Sequence, residues 1–129
     1  MSKKVLVVDD DPEIVQLLSF NLKQAGFAVG SAANGFDALR KTRSMLPDLI
    51  VLDLMLPELD GFAVCEILRH DPATASTPII MLTALASELA RLSGLDSGAN
   101  EYIVKPFSPK SLVGRVQELL GVGQAWKCE

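Results

Sequence analysis

The 129-residue chain is poor in the residues from which metal centres and disulfide frameworks are usually made. It has one histidine, His70, and two cysteines, Cys65 and Cys128, whose spacing matches no zinc site, so neither a structural zinc nor a disulfide scaffold is expected. Cys65 falls on an apolar helix face and reads as a small core residue. Positive charge is not in excess either. The formal net charge of −4 offers no general affinity for nucleic acid or for an anionic membrane surface. No apolar run approaches the ~20 residues of a membrane span, and Met1-Ser2-Lys3-Lys4 leads into a stretch too short for a signal-peptide core. Glycine is missing where a nucleotide- or flavin-binding sheet would need it. The first apolar run is followed by Asp9-Asp10-Asp11-Pro12, which would repel a phosphate. What these absences leave is a cytoplasmic domain with no nucleic acid and no membrane as a direct partner.

What is present is alternation. Hydrophobic residues make up 49% and charged residues 22%, ordinary for one globular domain with a core of its own. Val5 to Val8 is a short Val-rich run, hence a buried strand. Asp11-Pro12-Glu13 then starts a helix, with a capping carboxylate, proline at the first helical position and an acid in the first turn. Ile14, Leu17, Leu18, Asn21, Leu22 and Ala25 recur at helical spacing up to Gly26. Phe27 to Ser31 reads as a weaker strand near an edge. Asn34-Gly35 opens a second helix with Ala38, Leu39, Thr42 and Met45 on its inner face. Leu49 to Leu52 is apolar without a break, as in a strand covered on both faces, and runs into Asp53. Asp60 caps a third helix that turns Phe62, Cys65, Ile67 and Leu68 inward. Pro78 to Thr83 forms a fourth strand, and residues 87–97 a helix carrying Leu89, Leu92 and Leu95. Glu101 to Val104 makes a short fifth strand, broken by Lys105-Pro106. Ser108-Pro109 begins a last helix with Leu112, Val113, Val116, Leu119 and Leu120 as its stripe. Residues 1–121 form one α/β domain and 122–129 a tail. With right-handed crossovers, the alternation gives a doubly wound parallel sheet with helices on both faces.

The strands of such a sheet point one way, so Asp9-Asp10, Asp53, Thr83 and Lys105 all fall on one edge. The first and third strands lie side by side where the connections change face, and Asp9, Asp10 and Asp53 then converge on one crevice. Each residue taken singly has a plainer use. Asp9 to Asp11 can simply cap a helix, Asp53 can end a strand, Thr83 can be a strand residue and Lys105 a surface lysine at a turn. Together they combine a carboxylate nucleophile, oxygen ligands suited to Mg²⁺, a cation and a hydroxyl donor, the parts needed to move a phosphoryl group onto an aspartate.

Asp9-Asp10, Asp53, Thr83 and Lys105-Pro106, with Met55-Leu56-Pro57-Glu58-Leu59-Asp60-Gly61 after the central aspartate, resemble the receiver domain of bacterial two-component response regulators. The resemblance covers about residues 3–120. It implies a five-stranded sheet of order 2-1-3-4-5 with five helices, in a flavodoxin-like three-layer sandwich. It also implies that Asp53 takes a phosphoryl group from a histidine kinase or phosphotransfer protein, or from a small acyl phosphate. Mg²⁺ would be held by Asp10, Asp53 and the Met55 backbone carbonyl, with Asp9 acting mainly through water. Thr83 and Lys105 would bind the phosphoryl oxygens, Ala84 would leave them room, Tyr102 would be the switch aromatic, and the Lys105–Pro106 bond would be cis.

The segment from Lys105 to Leu112 is closest to receivers that precede a winged-helix DNA-binding domain. Receivers of that kind commonly form homodimers through the face of the fourth helix, fifth strand and fifth helix. Arg91, Glu101 and Arg115 fit that face. Ser111, Asn100 and Glu118 depart from it, standing where an acid, an aspartate and a base are usual, which implies a weaker or rearranged dimer. The leading expectation is a phosphorylatable switch that acts on a partner and, as chemistry, only phosphorylates and slowly dephosphorylates itself. The alternatives are the receiver piece of a larger DNA-binding regulator and a Mg²⁺-dependent phosphohydrolase.

Overall fold

The computed structural model describes residues 2–122. The chain order is β1 (Lys4–Val8), α1 (Pro12–Gln24), β2 (Ala28–Ala32), α2 (Gly35–Met45), β3 (Leu49–Leu52), α3 (Gly61–His70), β4 (Ile79–Thr83), α4 (Glu88–Asp96), β5 (Glu101–Val104) and α5 (Pro109–Leu120). All strand pairs are parallel and the order across the sheet is β2-β1-β3-β4-β5. The expected doubly wound α/β fold is therefore the observed one. The tail from residue 123 lies outside the described residues.

The starts and stops follow from local chemistry. Asp11, Asn34, Asp60, Ser87 and Ser108 each accept a backbone N–H of the first turn of the helix that follows, satisfying one of its free donors. Pro12 and Pro109 occupy the first turns of α1 and α5, where no N–H is missed.

The two faces of the sheet bury alternate residues. Leu6, Val8, Ile50, Leu52, Ile79 and Met81 pack against Ala38, Val64, Cys65 and Leu68 of α2 and α3. Val5, Val7, Leu49, Val51, Ile80 and Leu82 pack against Leu18 and Leu22 of α1 and Leu112 and Val116 of α5. At about 1.5–3 kcal/mol for each fully buried aliphatic side chain, this double layer pins the register of the three central strands.

Some helix faces lie off their expected bearing. The buried stripe of α3 is Val64, Cys65 and Leu68, with Phe62 only partly buried and Ile67 exposed. Leu17 of α1 also faces solvent. In α4, for which the spacing set no facing, Leu89 and Leu92 are 76% and 46% exposed and the one buried residue is Gly94. This helix covers the sheet where β4 gives way to the short last strand, and it does so with its backbone at Gly94 rather than with a leucine stripe.

Candidate functional site

Three of the expected site residues lie one position beyond a strand, each fixed by a backbone bond to the strand beside it. The Asp9 N–H donates to the Ala32 carbonyl at 3.1 Å, that of Asp53 to Val8 at 2.9 Å, and that of Lys105 to Thr83 at 2.7 Å. The parallel ladder thus runs past its formal ends and carries Asp9, Asp53 and Lys105 to one rim, beside Thr83 at the end of β4. The loop after Asp53 folds back tightly, the Gly61 N–H donating to the Leu54 carbonyl at 2.9 Å. A Cβ on Gly61 would lie 2.6 Å from the Asp53 carbonyl oxygen, so only glycine allows this return.

One oxygen each from Asp9, Asp10 and Asp53 lie within 4.8 Å of one another. Asp9 and Asp53 are buried, while Asp10 is open to solvent. Lys105 Nζ stands 2.9 Å from Asp9 Oδ2 and 3.4 Å from Asp53 Oδ2. Asp9 Oδ1 accepts the Asp11 N–H at 2.9 Å, and Asp53 Oδ1 accepts the Met55 N–H at 3.2 Å. Two unit charges 4 Å apart interact by roughly 4 kcal/mol at an effective dielectric near 20, so three carboxylates facing one ammonium leave the crevice net negative. Burial first, and then the Asp9 charge, push the Asp53 carboxyl above its ordinary pKa, against the pull of the Met55 N–H and of Lys105. Lys105 is partly desolvated, which works against its charge, but its hydrogen bond to Asp9 and the two carboxylate charges hold its pKa above the usual value.

An all-oxygen donor set with one solvent-exposed member fits a hard divalent cation. The same crevice offers a buried carboxylate as nucleophile and an ammonium beside it for phosphoryl oxygens.

The remaining candidates are placed as follows. Thr83 is fully buried at the same rim, but its Oγ1 accepts the Leu85 N–H at 3.3 Å rather than meeting the carboxylates. The Tyr102 hydroxyl donates to the Leu85 carbonyl at 2.8 Å. The Lys105–Pro106 peptide is cis. Arg91 pairs with Glu88 at 2.9 Å within α4, and Arg115 pairs with Glu101 at 2.7 Å and with Glu118. Asn100 Oδ1 accepts from the Ile79 N–H at 2.9 Å and from Arg69 at 3.0 Å. Arg91 and Arg115, with Glu88, Glu101 and Glu118, are therefore paired within a single copy of the chain.

Two contributors escape sequence reasoning. The Leu85 peptide groups link Thr83 to Tyr102, and no side-chain pattern announces a backbone carbonyl. Gly61 is essential for the loop geometry, and its signal was the Asp60-Gly61 pair, which reads as a turn but not as a close approach to Asp53.

Comparison with known proteins agrees with this geometry. The family described as the response regulator receiver domain matches residues 5–117. The alkaline phosphatase synthesis transcriptional regulatory protein PhoP of Bacillus subtilis is 48% identical over 120 residues, 93% of this chain and 49% of that protein. The DNA-binding dual master transcriptional regulator RpaA of Synechocystis sp. is 46% identical over 117 residues, 91% of this chain and 48% of the relative. The chain thus spans about half the length of the curated relatives it matches. Among solved structures, the Vibrio cholerae chemotaxis protein CheY4 superposes with a TM-score of 0.88 at 37% identity, covering 93% of this chain and 100% of that one. A BeF3-activated receiver domain of DrrB gives 0.86 at 34% identity, covering 95% and 100%. The chain belongs to the response regulator receiver domain family, and it is a phospho-accepting receiver domain.

Proposed function

We propose that Asp53 is the phosphoryl acceptor. The observation that carries this is its position. It is a buried carboxylate that shares the Lys105 ammonium with Asp9, in a three-carboxylate group open to solvent at Asp10. An Asp53 oxygen attacks the phosphorus of a phosphohistidine on a sensor kinase or phosphotransfer protein, or of a small acyl phosphate. The new O–P bond forms as the bond to the imidazole or acyl oxygen breaks, and the leaving group departs with that electron pair. Lys105 turns from the carboxylates to the transferred phosphoryl oxygens, and the Thr83 hydroxyl gives up its bond from Leu85 to donate to them. Mg²⁺ is the cation suited to Asp10, Asp53 and the Met55 carbonyl, and it would neutralise charge on the incoming phosphoryl oxygens. Asp9, with one oxygen on Asp11 and the other on Lys105, is left to reach it through water. This chemistry ends on the protein's own side chain, so loss of the group is self-dephosphorylation rather than turnover.

Release of the Thr83–Leu85 bond changes what Leu85 offers Tyr102, which biases the α4–β5–α5 face toward a partner or a second copy of the chain. The proposed setting is the cytoplasm, with a histidine kinase upstream. A second arrangement, in which this receiver is the regulatory part of a DNA-binding transcriptional regulator, is supported by relatives of about twice its length that are themselves transcriptional regulators. The test is to incubate the protein with Mg²⁺ and acetyl phosphate and measure its intact mass. One phosphoryl adduct is expected, absent from Asp53→Ala. An adduct that survives in that variant overturns the assignment.

A further inference from the structure

Gly94 lies in the interior of α4, where glycine costs about 1 kcal/mol relative to alanine, so its presence calls for a compensating contact. That contact is the ring of Tyr102. A Cβ built on Gly94 would stand 2.9 Å from Tyr102 Cδ2, 3.2 Å from Cε2 and 3.0 Å from Met81 Sδ. The ring edge therefore lies directly against the α4 backbone, while its hydroxyl reaches the Leu85 carbonyl, just before the helix begins. No other residue of α4 is buried, and its leucines at 89 and 92 point to solvent. The seating of α4 on the sheet and the inward position of the ring thus depend on the same missing methyl group.

We infer that Gly94 is a positioning residue for the switch: the space left by its absent side chain is the slot that lets Tyr102 lie beneath α4 with its hydroxyl on Leu85. This rests on the reading of Thr83 and Tyr102 as the switch pair. A methyl at 94 displaces either the ring or the helix, and with it the connection that runs from Thr83 through the Leu85 peptide groups to Tyr102. Asp53, Asp9 and Lys105 are not touched. Coupling is reciprocal, so a substitution that disfavours the inward ring must weaken binding of a phosphoryl mimic at Asp53, and only while the ring is present.

The test is a double-mutant cycle on the whole chain with Gly94→Ala, Tyr102→Ala and the pair, measuring Mg²⁺-dependent beryllofluoride affinity and urea midpoint. Tyr102 is the single tyrosine of the sequence, so 3-fluorotyrosine labelling also gives one ¹⁹F signal for this ring. In the Tyr102 background, Gly94→Ala should lower beryllofluoride affinity about fivefold or more and move the ¹⁹F resonance toward a solvent-exposed shift. In the Tyr102→Ala background the same substitution should leave the affinity unchanged and raise the urea midpoint, since alanine then gains in helix propensity and Met81 Sδ, the remaining close atom, ends a flexible side chain that can move into the space left by the ring. Should Gly94→Ala fail to fold alone, folding of the double variant supports the slot, and failure of both overturns it. Unchanged affinity and resonance, or an equal loss of affinity in both backgrounds, also overturns it. If the wild-type protein binds no beryllofluoride, the phosphoryl reading fails, and the ¹⁹F shift still decides whether Gly94 holds the ring.

Discussion

Asp53 sits where its own charge is penalised. Folding raises its pKa, chiefly by burial and then through Asp9, so ionised Asp53 costs stability at every pH above its folded-state value. The cost shrinks as the pH falls through that value and is gone below the pKa of the unfolded carboxyl. In metal-free buffer Asp53→Asn should therefore melt a few degrees above the wild-type protein near pH 7, the gap closing toward about pH 4. Calorimetry across that range checks it, and a gap that widens in acid would refute it. A second residue-scale prediction concerns the lifetime of the phosphoryl group. Met55 and Leu85, 58% and 38% exposed, line a groove of about 520 Å³ that also touches Asp10, a position from which their side chains would slow attacking water. Replacing both with alanine should speed loss of the aspartyl phosphate several-fold, read as phosphate release after the donor is removed.

Among the elements, the joint between α3, β4 and β5 depends on one side chain. Arg69 donates from Nε to the Gly98 carbonyl at 2.9 Å, from Nη1 to those of Thr74 and Thr77 at 3.1 and 2.7 Å, and from Nη2 to Asn100 at 3.0 Å. Arg69→Ala would leave several carbonyls without a donor and should lower the unfolding free energy by about 2–3 kcal/mol in urea titrations, with Asp53 still phosphorylated. Arg69 shows how far the sequence could be read. The strands, the caps and the shared edge of Asp9, Asp53, Thr83 and Lys105 were legible, because unbroken apolar runs and helix starts are local signals. Leu89 and Leu92 mark a stripe by their helical spacing, but that spacing does not say which way the stripe faces. Gly94, the residue that touches the sheet, has no hydrophobicity to register. The carbonyl cradle around Arg69 and the double use of the Leu85 peptide are backbone contacts between distant segments, and no residue pattern encodes them.

At the scale of the whole molecule, the face formed by α4, β5 and α5 is the proposed surface for association. Arg91 and Arg115 are already paired with Glu88, Glu101 and Glu118 in their own chain, so dimer-spanning ion pairs would first have to break these bonds. Exposed Leu89 and Leu92 would supply the apolar contact instead. In sedimentation the free protein should be monomeric, with beryllofluoride producing a weak dimer that Leu89→Asp abolishes. Equal sedimentation with and without beryllofluoride over a wide concentration range would count against activation-driven association. The ladder that extends past the strand ends has a further consequence, for the chain as it is made. Asp9 and Asp53 can come together once β1 and β3 pair, but Lys105 is the last of the three to emerge from the ribosome, and its backbone is set in place by its bond to Thr83. Until β5 docks, the acidic residues have no ammonium between them and no clamp for an incoming phosphoryl group. A half-made or misregistered chain would thus be deaf to its donor, and competence to receive a signal would become a by-product of finishing the sheet.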